Sequence, residues 1–131
     1  MLIQRYLPIL AIVVALTTVM QRQPAIALSN DQKARVLKLC KAELKRHSTR
    51  YDVANAKAKT LKTQKKKKQT CRYGRQAMAG LNGSLRSFKS GKCRRVHTVV
   101  SSYVSSKLKR LEANILSTRN RLTVWLKKEC R

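Results

Sequence analysis

A net charge of +26 on 131 residues, from 31 Lys and Arg against five Asp and Glu, limits what this chain can fold into more than any other feature. Like charges crowded together weaken a compact state, so the cations must stay outside and the inside must be held by other means. The basic residues are not collected in a tail: residues 31–70 carry fourteen of them and residues 71–131 fifteen. They form a coat. A coat of this sign draws a protein to polyanions, whether anionic lipid, sulfated glycan, nucleic acid or an acidic protein.

The N-terminus supplies an address. MLIQRYLPILAIVVALTTVM has one early charge, Arg5, and then none from Leu7 to Met20. A spanning helix wants about 20 apolar residues, so this run is short for a bilayer and fits a secretory signal peptide. Ala25, Ile26 and Ala27 form the small-x-small triplet, which puts cleavage after Ala27 and makes residues 1–27 the signal and 28–131 a single cationic domain. An uncleaved anchor ranks below this, because Arg22, Gln23 and Pro24 interrupt the run. Arg5 and Arg22 leave with the signal, so 29 cations face five acids and the mature charge is +24. The tetralysine Lys65, Lys66, Lys67, Lys68 would by itself suggest a nuclear signal; secretion removes that reading.

Steps of three and four from Leu37 collect Cys40, Leu44, His47, Tyr51, Ala54, Ala58 and Leu61, the seam of an amphipathic helix. Ser29 or Asn30 can cap its start, with Asp31 in the first turn. The phase is then lost, and KTQKKKKQT reads as the connection. A second, shorter seam follows in Cys71, Gly74, Met78, Leu81, Leu85 and Phe88. Its three glycines each cost about 1 kcal/mol relative to alanine, which makes it the weakest helix, and Gly91 looks like its stop. A third seam runs Cys93, His97, Val100, Val104, Leu108, Leu111, Ile115, Thr118, Leu122, Trp125. The expectation is an all-α, disulfide-stapled bundle of three amphipathic helices, long-short-long, or four if the third divides.

In a secreted chain, four cysteines suggest two disulfides, with three pairings open. An up-down-up course favours Cys40 with Cys93 and Cys71 with Cys130. At about 1.5 Å per residue, however, an unbroken helix from Cys93 to Cys130 overshoots Cys71 by roughly 25 Å. That pairing therefore requires a bend, expected between Ser117 and Arg121. Each disulfide would contribute about 4 kcal/mol in the chain-entropy treatment, enough to offset repulsion within the coat.

Signals of chemistry are few. The five acids are scattered among cations, and Glu43 is expected to make helical contacts with Lys or Arg three or four positions away. His47 and His97 both fall on seams, where a satisfied core histidine is the plainer reading than a His-Lys-His hydrolytic site. No Cys/His spacing suggests zinc and no Gly-rich phosphate loop follows a strand, so neither metal nor cofactor is expected. Asn82, Gly83 and Ser84 form an N-glycosylation acceptor, usable only if Asn82 lies on a turn facing solvent. Arg94 and Arg95 join Lys65 to Lys68 as candidate polyanion-binding residues. In RLTVWLKKECR, Leu122, Trp125 and Leu126 allow either peripheral membrane contact or, more simply, a packed terminal helix held by Cys130.

Secretion, a mature chain of about a hundred residues, helical segments such as KAELKRHSTRYDVANAKAKTLK and four spaced cysteines together resemble the small seminal-fluid peptides of insect male accessory glands. The resemblance lies in the format of the chain and carries no residue over. It implies transfer at mating and a role in sperm storage, sperm competition or female behaviour. The expected function is thus that of a secreted, non-enzymatic protein, monomeric by charge repulsion, binding an anionic cell surface, a sulfated glycan or an acidic protein receptor. Behind it stand a membrane-active antimicrobial protein, then nucleic-acid packaging, then a small hydrolase.

Overall fold

The computed structural model describes residues 28–131, so the signal peptide expected over residues 1–27 and its expected cleavage after Ala27 lie outside the described residues. These residues are helical, with no strand among them, and two disulfides join them. Helix α1 is Asn30–Thr63. Ser29 begins it with a reciprocal cap: its Oγ accepts the Gln32 N–H at 3.2 Å, and its own N–H donates to Gln32 Oε1 at 2.9 Å. Beyond this first turn, the compact unit is Ala34–Arg131. All eight seam positions of α1 are buried or half-buried, whereas every lysine of the helix is exposed.

The connection is far shorter than KTQKKKKQT. It is Gln64, Lys65 and Lys66, after which α2 runs Lys67–Lys89. Lys65 is left-handed, with φ 57°. Its N–H bonds the Lys62 carbonyl and that of Lys66 the Leu61 carbonyl, both at 3.0 Å, so a Schellman turn closes α1. The turn reverses the chain within one residue of left-handed backbone, and the last two lysines of the run start the next helix. A left-handed residue other than glycine was the signal to look for, and lysine does not advertise it.

Helix α2 is continuous through its three glycines. Its buried stripe is made of small residues, Gly74, Ala77, Gly80, Gly83, Ser84 and Ser87 among them. A Cβ on Gly80 would stand 2.9 Å from both the His47 carbonyl oxygen and the Tyr51 nitrogen, so here the backbones of α1 and α2 touch. On the other side, a Cβ on Gly74 would meet Trp125 Cζ3 at 3.0 Å and Leu126 Cδ2 at 3.1 Å. The propensity cost is returned as close packing against two neighbours. The buried hydroxyls add no unmet demand: Ser84 donates to the Gly80 carbonyl and Ser87 to that of Gly83, each at 3.2 Å.

Gly91 does not stop α2 by a left-handed backbone, since no glycine has positive φ. Its missing Cβ instead leaves room for Ser87 and the Glu43 carboxylate. Glu43 Oε2 accepts the Lys92 N–H at 2.7 Å, so this acid ties α1 to the end of α2 across 49 residues. That corrects the expected local pairing along α1. One helical turn, α3 (Val96–Val99), follows; the chain then extends through Val100, and α4 runs Ser102–Glu129 with Ser101 Oγ accepting the Val104 N–H at 3.3 Å.

The Cys40–Cys93 and Cys71–Cys130 disulfides are both formed, with Cα separations of 4.6 and 5.7 Å. The bend expected between Ser117 and Arg121 is absent, because α4 is continuous through it. The excess length is taken up earlier, between Cys93 and Ser101. Leu108 joins Cys40, Leu44, Phe88, Cys93 and Val96 in the core cluster, so the helix passes the first disulfide at Leu108. From Leu108 to Cys130 the rise is about 33 Å, which matches the course back to Cys71.

Two expectations follow from this packing. Gly80→Ala drives a methyl into α1 backbone that cannot swing aside, and should cost about 1 to 3 kcal/mol in urea unfolding, whereas Ala79→Gly should cost only the smaller propensity difference. His47 lies half-buried with its ring against Gly83. Burial foremost, then Arg46, with Arg50 and Arg86, lowers its pKa from 6.5 against the opposing pull of Glu43. The fold thus favours neutral imidazole: its contribution is full above 6.5 and fades as pH falls towards the lower folded value. His47→Gln should flatten the stability profile between pH 7.5 and 5.5, read as urea midpoints; an unchanged slope would refute the linkage.

Candidate polyanion-binding surface

The tetralysine is split between two structural roles. Lys65 and Lys66 occupy the turn, and Lys67 and Lys68 the first turn of α2; all four are exposed. No acidic residue lies in that first turn and the N-cap Lys66 makes no side-chain capping bond, so the unpaired N–H groups of the helix add to the positive field. Lys65, Lys66 and Lys67 meet Lys62 around a hollow of about 230 Å³ whose other walls include Thr70, Cys71, Trp125 and Glu129. The ammonium of Lys62 stands 6.0 Å from the Trp125 ring.

Cys71 anchors the backbone that carries these lysines. It sits one turn into α2, beneath the hollow, and its bond to Cys130 ties the turn to the end of α4. Arg75 Nη2 also reaches the Cys130 carbonyl, at 3.4 Å. From Lys68 the cationic face continues along α2 through Arg72 and Arg75, which with Gln69 line a second open groove of about 500 Å³. Lys57 lies 5.2 Å from the Tyr73 ring beside it. Lys62, Arg72 and Arg75 are therefore parts of this surface that the sequence did not mark, and Trp125, marked there only for membrane contact or packing, borders it. The steps from Lys68 to Arg72 to Arg75 are a helical face in plain view, hidden only by treating KTQKKKKQT as a loop.

Arg94 and Arg95 do not join it. They are exposed beside Cys93, beyond the far end of a 23-residue helix. That helix is about 34 Å long, so the two basic clusters can touch one extended polymer but not one small anion. Asn82 is half-buried in the middle of α2, and the Ser84 hydroxyl of the same acceptor is buried and bonded to Gly80. There is no turn at that position. In the terminal segment Trp125 and Leu126 are half-buried and both approach Gly74.

The two histidines, on α1 and α3, face different residues of α2. His47 faces Gly83, whereas His97 stacks on Phe88 at 6.4 Å and shares a 2.8 Å hydrogen bond between its Nδ1 and Ser105 Oγ. Among the described residues no group of His, Cys, Asp and Glu is arranged to hold a metal ion, and no helix is long and apolar enough to cross a membrane. No protein-family model, no curated protein sequence and no solved structure matches this chain.

Proposed function

We propose that this is a secreted, non-enzymatic protein that binds a sulfated glycan or similar polyanion on an anionic cell surface, in the reproductive setting that its format resembles. The observation that carries the reading is the disulfide-anchored cluster of Lys62, Lys65, Lys66 and Lys67, prolonged along one face of α2 by Lys68, Arg72 and Arg75. A flexible basic tail would lose entropy on binding; cations already held in place lose less. In this reading the scaffold is a long-short-long, up-down-up set of helices of 34, 23 and 28 residues that spaces cationic groups along a linear polymer. Membrane attack has less support, because Trp125 and Leu126 are engaged with Gly74.

Heparin affinity of the oxidised protein tests the proposal. Changing Lys65 to Lys68 to glutamine should weaken binding about tenfold or more at physiological salt and reduce its salt dependence. The same charge removed as Lys33→Gln, Lys38→Gln, Lys107→Gln and Lys109→Gln should matter much less. Equal losses would mean that only the diffuse coat binds, and leakage of anionic vesicles at low micromolar protein would favour membrane attack. Lys65→Gly separates binding from folding: relief of the left-handed lysine should stabilise the fold by up to about 1 kcal/mol while affinity falls.

A further inference from the structure

Away from the lysine cluster, α1, α2 and α4 leave an open groove of about 550 Å³ whose exposed lining is mostly apolar. Leu81, Leu44 and Leu108 are its buried leucines, and Tyr51, Leu111 and Ile115 are the more exposed parts of its lining. The volume falls within the roughly 300 to 1,000 Å³ of pockets that take small molecules. Leu111 is a seam residue of α4 and yet 40 % exposed, while Leu108 is the helix's buried residue. The third seam therefore faces this groove with its apolar side incompletely covered.

What the groove can hold follows from its polar groups. Ser84 in its wall already donates to the Gly80 carbonyl and Thr118 to that of Asn114, while Ser48 and Asn114 are exposed to solvent, so the buried hydroxyl makes no demand for a polar ligand. Lys41 and Lys45 lie on the rim, one turn apart on α1 and exposed. Asp52 lies on the same rim, two turns farther along α1, and would repel an anionic head at that end. The charge of the chain opposes closure by a second copy. We infer that this groove binds a long-chain carboxylate, its alkyl chain along Leu44, Leu81, Leu111 and Ile115 and its head at Lys41 and Lys45.

Titration of the oxidised protein with oleate below its micellar range tests this, with hexanoate and oleyl alcohol as comparison ligands. Oleate should bind one to one and hexanoate not measurably, since the alkyl chain supplies most of the affinity. Leu111→Trp fills the groove and should weaken oleate about tenfold or more; Leu111→Gln, which leaves the space but makes it polar, should do so less strongly. Lys41→Gln with Lys45→Gln should weaken oleate but leave oleyl alcohol unchanged, and Lys107→Gln with Lys109→Gln, off the groove, should affect neither. Circular dichroism confirms that each variant is folded. Many oleates per chain with equal affinity in Leu111→Trp would reduce the effect to adsorption on the coat and overturn the inference. So would no binding, or a dimer in sedimentation that Leu111→Trp dissolves.

Discussion

The Cys40–Cys93 and Cys71–Cys130 bonds clamp α2 close to both of its ends, one to α1 and the other to the end of α4. They close 53 and 59 residues of separation, for which chain entropy gives about 4 kcal/mol each. That is of the same order as the whole stability of many small domains. A cationic coat opposes the collapse that would otherwise hold such helices, although salt screens it beyond about 8 Å at physiological strength. With both ends fixed, α2 can use small residues along its length. Gly80 then meets α1 backbone and Gly74 meets Trp125, contacts too close for larger side chains.

The same clamp links scaffold to surface. A disulfide one turn into α2 fixes the reversal at Lys65, and with it the positions of the lysines on either side. At the other end, Glu43 binds the Lys92 N–H next to Cys93, so one of the few acids in the chain serves the fold rather than the coat. The core is thickest there, where Leu37, Val100, Val104 and Ile115 surround the first disulfide and its apolar neighbours. Moving away from that end, α4 meets small residues instead of large ones. The apolar groove opens between these two regions, where α1 presents Ser48 and Tyr51 and α4 presents Leu111 and Ile115.

Much of this was legible. The eight-position seam of α1 is the buried face, because a period of three and four in a helical chain has one way to be hidden. Cys71 and Cys130 lie by the ends of α2 and α4, and Cys93 just beyond the other end of α2, so an up-down-up course that brings Cys40 alongside Cys93 favours the observed pairing. The α1–α2 turn was not legible, because local pattern marks left-handed positions by glycine or asparagine and this one is lysine. Nor was the value of Gly74 and Gly80: helix propensity counts what a glycine loses and is blind to the helix that approaches it. The missing bend of α4 had a similar origin, since the length argument began the helix at Cys93, eight residues before its cap at Ser101.

By itself, then, the sequence determined the class, the exposed cationic coat, the apolar stripe of α1 and the need for staples, because composition and period act locally and charge has to face water. Only the tertiary structure decided which cations lie together. Lys62 meets the Lys65–Lys67 turn because α1 reverses there, Arg72 and Arg75 extend the surface because α2 begins at Lys67, and Arg94 and Arg95 are set apart by the length of that helix. It also decided that the seam of α4 stays partly open at Leu111. Such juxtapositions depend on where helices begin, end and touch, and those are settled by contacts between residues distant in the chain.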